Sequence, residues 1–228
     1  MLHINSLQLG VHHDENYLRK KIAKTVGCNI DEIKSIEIKK RSVDARKKPE
    51  IFYSYSIDVS VSNEEKYLKR NKSLSLAKPV IYAYKDAKVL KAADIKRPVV
   101  VGFGPAGIFA ALLLAKNGLK PIVIERGECV EERKESVDRF WNEGKLNPES
   151  NVSFGEGGAG TFSDGKLNTL VKDTLGRNKF VLETLVEYGA PKEILYDNKP
   201  HIGTDLLTGI VKNIREEIIR LGGEVRFS

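Results

Sequence analysis

Apolar residues recur along the chain with two distinct periods. Leu2, Ile4, Leu7 and Leu9 alternate like a strand whose spacing slips by one residue in the middle. Asp14 then stands where an N-cap belongs, with Leu18, Ile22 and Val26 four apart on one helix face and Gly27 as the stop. Ile36 and Ile38 alternate with charged residues, as in a half-buried strand. The clearest two-residue period follows: Ile51, Tyr53, Tyr55, Ile57, Val59 and Val61 share one face, opposite Phe52, Ser54, Ser56, Asp58 and Ser60. A short polar helix over about Glu64–Arg70 and a strand at Val80–Tyr84 complete the order βαββαβ. This order predicts a small ferredoxin-like α+β domain over residues 1–84.

Residues 85–96 carry no strong period and read as a linker with room for one helical turn. Beyond it the pattern is that of an α/β domain over residues 97–228. Pro98–Val101 is an apolar run suited to a buried parallel strand. Ile108, Ala111, Leu112 and Ala115 fall at helical spacing, Gly118 stops them, and Pro121–Ile124 is a second strand ending at Glu125. Helices are predicted over about Val130–Glu143, where Phe140 and Trp141 look like packing residues, and over about Arg177–Tyr188. A third, with Ile210, Ile214 and Ile218 in register, takes Thr204 or Asp205 as its cap. Leu221-Gly222-Gly223 ends it, and Glu224–Ser228 reads as a third strand.

Composition narrows the class. With 228 residues, 41% apolar and 30% charged, the chain suits one or two globular domains and excludes a disordered or collagen-like polymer. No apolar run approaches a membrane span and Met1 opens no leader, so the expectation is a cytoplasmic protein. Cys28 and Cys129 offer neither a disulfide framework nor zinc spacing. The net charge of +7 is uneven: residues 1–97 hold 21 Lys and Arg against 12 Asp and Glu, a net of +9, whereas the rest carries −2. Six of the positive charges lie in Lys39–Lys48, expected as a loop between strands. A nucleic-acid contact there is one option, a solvated hairpin the plainer one, since no aromatic box accompanies the charges. His12-His13 reads as a surface turn.

The run Gly102-Phe103-Gly104-Pro105-Ala106-Gly107 carries chemistry because of where it stands. Strand, glycine turn, helix, strand and terminal acid follow in order within residues 98–125, the arrangement that binds a dinucleotide. Gly104 lets main chain approach a pyrophosphate, Gly107 lets the helix lie close to the sheet, and the helix that starts near Pro105, with Ala106 next, presents unpaired N–H groups to phosphate. Glu125 can accept the hydroxyl protons of an adenosine ribose and would repel a 2′-phosphate. A second glycine-rich stretch spans Gly155 to Gly165. Gly157, Gly158, Ala159, Gly160 and Thr161 would run flush against a flat phosphate-bearing ligand, with Ser163, Asp164 and Lys166 near its ring. His201 is a weaker candidate for a proton donor.

These motifs, with the basic loop upstream, resemble the bacterial NAD(P)/FAD-dependent oxidoreductases known as uncharacterised FAD-dependent dehydrogenases. The resemblance implies a glutathione-reductase-type, Rossmann-like three-layer FAD domain preceded by the ferredoxin-like one. It implies FAD held by Gly102, Gly104, Gly107 and Glu125, with Arg126 beside the adenosine and Gly157–Lys166 near the pyrophosphate and flavin. NAD(P)H enters as a co-substrate option, and the small-molecule substrate is undefined. No cysteine follows Cys129, so the dithiol chemistry of disulfide reductases is excluded. Members of the family continue well past the third strand, so the chain is expected to be an N-terminal portion. Two other readings stay open: a nucleic-acid-associated flavoprotein, and an NAD-binding dehydrogenase without flavin.

Overall fold

The computed structural model describes residues 1–82, 96–163, 165–167, 169 and 171–228. The chain divides into two units, Met1–Ile81 with Lys192–Pro200, and Tyr82–Pro191 with His201–Ser228. The linker expected at 85–96 lies almost wholly outside the described residues.

In the first unit β1 (Leu2–Gly10), β2 (Ile33–Asp44), β3 (Phe52–Val61) and β4 (Leu74–Leu76) form one antiparallel sheet in the order β2-β3-β1-β4. The slipped spacing in β1 is a register shift between Ile4 and Leu7, which returns Leu7 and Leu9 to the buried face. Helix α1 (Glu15–Val26) starts where the Asp14 side chain accepts the Tyr17 amide at 2.6 Å, and Gly27 ends it in the left-handed conformation. Its Leu18, Ile22 and Val26 pack with Tyr67 of α2 (Glu64–Arg70) against Ile57 and Val59 of the sheet. Burial removes these apolar side chains from water at about 1.5–3 kcal/mol apiece. The opposite face is polar and carries one buried carboxylate, Asp58, which His3 Nδ1 meets at 2.6 Å.

Two expectations need correction here. Only part of Lys39–Lys48 is a loop: β2 runs through Asp44 paired with β3, because the alternation continues through Arg41 and Val43, and the loop between the strands begins at Ala45. The last strand is Leu74–Leu76 rather than Val80–Tyr84. Leu74 reaches the core and pairs with Ile4, whereas Val80 and Ile81 are exposed and residues 83 and 84 lie outside the described residues. After a 3-10 turn at Lys192–Leu195, the chain meets β2 through one isolated parallel bridge between Arg41 and Asp197. The Arg41 amide donates to the Tyr196 carbonyl at 2.7 Å, and the Asn198 amide donates to the Arg41 carbonyl at 2.9 Å. The Arg41 guanidinium forks onto Asp197 at 2.6 and 2.9 Å between the rings of Tyr53 and Tyr196.

The second unit is built on a parallel sheet in the order β5-β6-β7, from Val99–Val101, Ile122–Glu125 and Glu224–Phe227. Helix α3 (Pro105–Lys116) follows β5, and α4 (Val130–Glu143) and α5 (Arg177–Glu187) follow β6. Helix α6 (Thr204–Arg220) leads into β7. Ile108, Ala111, Leu112 and Ala115 of α3 and Ile210, Ile214 and Ile218 of α6 are buried, as is Val123 of the central strand. The run Pro98–Val101 was expected to be buried. Val99 and Val101 are in fact 56% and 83% exposed, because strand alternation turns them to the face that α3 does not cover. Trp141 is 59% exposed and does not pack as expected. Neither Thr204 nor Asp205 caps α6: the cap position is Gly203, with no side-chain bond.

Candidate functional site

The strand–turn–helix that carries the first glycine run closes on itself through backbone and one carboxylate. The Gly102 amide donates to the Ile124 carbonyl at 2.8 Å, so the turn begins with β5 and β6 still in register. Gly104 caps α3 and Pro105 opens it, both at the surface of the unit. A Cβ on Gly107 would overlap the Gly102 carbonyl oxygen, so the first turn of α3 tolerates no side chain there. On Gly104 an added Cβ would meet nothing nearer than the Gly158 Cα at 3.8 Å. A methyl is therefore tolerated at Gly104, in van der Waals contact with Gly158, and excluded at Gly107.

Glu125, at the end of β6, is buried, with 6% of its surface exposed. Its Oε2 accepts the Phe103 amide at 2.6 Å and its Oε1 the Gly127 amide at 2.9 Å. Each oxygen keeps a lone pair, so a ribose hydroxyl could still be accepted. The first job of this carboxylate is nevertheless to brace the glycine turn, a role the spacing did not reveal. Around it the carboxyl ends of the strands leave a cleft of about 330 Å³ lined by Val101, Gly102, Ile124, Glu125, Arg126, Arg226, Phe227 and Ser228. Arg126 lies over the Phe154 ring at 4.3 Å and meets Glu149 at 3.4 Å, with its side chain mostly exposed.

The second glycine stretch lies against the first. The Gly157 amide donates to the Phe103 carbonyl at 2.8 Å, and the Glu156 amide donates to the Glu128 carbonyl at 3.2 Å. A Cβ on Gly158 would come within 3.0 Å of Pro105 Cδ and 3.4 Å of the Gly104 Cα, so its main chain lies over the mouth of α3. Gly157 has φ +86°, and a Cβ there would overlap Thr161 Oγ1. Ala159, Gly160 and Ser163 are exposed around a short 3-10 turn, Ala159–Phe162, on which Thr161 is buried. Lys166 sits farther along in a bridge to His201, while the Ile202 amide donates to the Gly165 carbonyl at 2.9 Å. Asp164 lies outside the described residues.

Beneath this junction is a charged layer. Arg133 of α4 is fully buried and donates to four main-chain carbonyls: Asn151 at 2.9 Å, Val152 at 3.1 Å, Glu156 at 2.7 Å and Gly158 at 2.8 Å. Burial lowers its guanidinium to about 10. Glu156 is fully buried as well. Its Oε2 accepts the Val130 amide at 2.7 Å and Arg215 Nη1 at 2.7 Å, while Oε1 has no partner among the described residues. Burial pushes this carboxyl up to about 7, outweighing the Val130 amide and the Arg215 charge. Arg215 also reaches Glu131 at 2.7 Å. Partial burial pulls the Glu131 carboxyl up, but hydrogen bonds from Arg215 and Lys212 outweigh it and hold the group at about 2. The signal for Arg133 was present in the sequence: it shares one helical face with Val130, Ser136 and Val137, all buried.

Two comparisons bear on this arrangement. Residues 1–60 match a domain of unknown function (DUF8436). Over 227 residues the chain is 52% identical to an uncharacterized protein of Clostridium beijerinckii, an alignment that covers 100% of this chain and 42% of that protein. The chain thus spans less than half the length of this relative. Among the described residues no group of His, Cys, Asp and Glu could hold a metal, and no helix is long and apolar enough to cross a membrane.

Proposed function

We propose that the chain is the nucleotide-binding part of an FAD-dependent oxidoreductase, a dehydrogenase of undefined substrate. In this reading the second unit is Rossmann-like and the first ferredoxin-like. The observation that carries it is the hydrogen bond from the Gly157 amide to the Phe103 carbonyl, with Gly158 laid over Gly104 and Pro105. A dinucleotide site needs main chain that can approach a diphosphate, amides to meet it, and an acid at the end of the second strand. Gly104, the first turn of α3, Ala159 and Gly160 provide the first two. Glu125 provides the third with the lone pairs its two amides leave.

The residues fit the group. Gly102–Gly107 would hold the diphosphate, Glu125 and Arg126 the adenosine ribose side of the cleft, and Gly157–Thr161 the middle of the cofactor. Ser163 and Lys166 would stand toward the flavin. FAD bound here would supply hydride or electron transfer, with NAD(P)H as a candidate co-substrate. The chain's own contribution is orientation: preorganised amides on one side and a buried carboxylate on the other. A nucleic-acid role for the first unit finds less support. Of the six basic side chains in 39–48, Lys39, Arg41 and Arg46 already meet Glu37, Asp197 and Asp44.

Calorimetric titration of the chain with FAD, ADP and NADH tests this reading. Binding of FAD and ADP is the expected result. Binding of NADH with no response to FAD would replace it with the NAD-dehydrogenase reading.

A further inference from the structure

The cofactor reading leaves one buried group unexplained, the guanidinium of Arg133. It is fully buried, stacks over the Phe162 ring at 4.8 Å, and spends its donors on carbonyl oxygens alone. No carboxylate lies within ion-pair distance of it among the described residues. The nearest acids act on it only through space, and both are already engaged: Glu125 by the Phe103 and Gly127 amides, Glu156 by the Val130 amide and Arg215. A buried cation that binds only peptide oxygens is expensive to retain unless the charge or the orientation is used.

The orientation follows from peptide planarity. In a trans peptide the C=O and the next N–H point in opposite directions. Drawing the Glu156 carbonyl to Arg133 turns the Gly157 N–H the other way, and that N–H is the one that meets Phe103. Drawing the Gly158 carbonyl to the same nitrogen likewise turns the Ala159 N–H away from Arg133, and this amide meets no acceptor among the described residues. Gly155 belongs to the same device: a Cβ on it would come within 2.7 Å of Arg133 Cδ. Some of the glycine content of this loop therefore makes room for an arginine from below rather than a ligand from above.

We propose that Arg133 is a positioning residue of the nucleotide site, holding the Gly158–Ala159 peptide so that its N–H and the arginine's own charge favour a diphosphate. The inference rests on the cofactor reading and adds the part of the ligand that this layer recognises: the anionic diphosphate, not the nucleoside. Its test compares ADP, adenosine and inorganic pyrophosphate as ligands of the whole chain, with Arg133→Met and Arg133→Lys beside the wild type. The wild type should bind ADP more tightly than adenosine by about tenfold or more. Arg133→Met should lose most of that preference with adenosine binding little changed. Arg133→Lys, which keeps the charge but not the fork, should keep part of it.

Equal weakening of both ligands in a folded Arg133→Met would show a merely structural role and overturn the proposal, as would an unchanged ratio. If Arg133→Met does not fold, the wild type decides: pyrophosphate must displace ADP, and failure to do so overturns the proposal. A wild type that binds neither ADP nor FAD sinks the cofactor reading itself, and this inference with it. A wild type that binds both, with its ADP preference indifferent to Arg133, sinks the inference alone.

Discussion

The Gly157 amide donates to the Phe103 carbonyl at 2.8 Å, joining two glycine-rich segments that α3, β6 and α4 separate in the chain. Neither segment alone distinguishes a ligand site from a tight turn. Side by side, with Gly158 over the mouth of α3, they make a floor and a rim of main chain.

That geometry separates two glycines of the first motif. Gly107→Ala should destabilise the fold strongly, by several kcal/mol in chemical denaturation, because the new methyl overlaps the Gly102 carbonyl. Gly104→Ala has room and an extended backbone (φ −75°, ψ −174°), so it should cost less than about 1 kcal/mol, most of it the poorer cap. It should nevertheless weaken ADP binding, since the methyl occupies the approach to the α3 amides. Equal loss of stability in the two variants would contradict this geometry.

Glu125→Gln replaces an acceptor that serves two amides with one that serves a single amide and sets an NH₂ against the other. A loss on the order of 2 kcal/mol is expected in urea denaturation of the ligand-free chain. A midpoint unchanged from wild type would mean that Glu125 does not brace the turn.

The buried carboxyl of Glu156 makes stability depend on pH. Its folded value, about 7, lies above that of an ordinary glutamate, so the folded chain holds a proton that the unfolded chain releases. Its contribution is full below about 4.5 and is lost as pH rises toward 7, by a total on the order of 3 kcal/mol. Glu131, held at about 2, works in the other direction and in another window: its contribution is present above about 4.5 and is lost as pH falls toward 2. Denaturation of the wild type between pH 5 and 8 should therefore show a decline that Glu156→Gln removes. A decline of the same size in the variant would assign it to another group.

At the helix starts the two caps differ. Asp14→Ala should cost about 1 kcal/mol, because the side chain satisfies the Tyr17 amide. Thr204→Ala should cost much less, since Thr204 lies inside α6 and the cap is Gly203.

Helix limits were the most legible part of the sequence. Asp14 and Gly27 bracket α1, and α4 runs over Val130–Glu143, because caps and a 3.6-residue period are local signals. The glycine run and Glu125 were legible for the same reason. The strand Leu74–Leu76 was not: three residues at a sheet edge leave no period to read, and Val80-Ile81 offers a more apolar but exposed alternative. The extension of β2 past Lys40 was hidden by its charges, three of which are paired locally or with Asp197. Arg133 was overlooked because an arginine in a polar helix looks solvated. Only the three-dimensional return of residues 151–158 beneath α4 supplies its carbonyl partners, and no sequence period records that return.

Peptide-resolved hydrogen exchange on the whole chain, with and without FAD, asks directly whether one ligand engages both segments. Protection is expected together at residues 102–107 and 155–161, with a smaller change on adding adenosine in place of FAD. Protection confined to 102–107, with 155–161 exchanging as in the free chain, would contradict a shared diphosphate site.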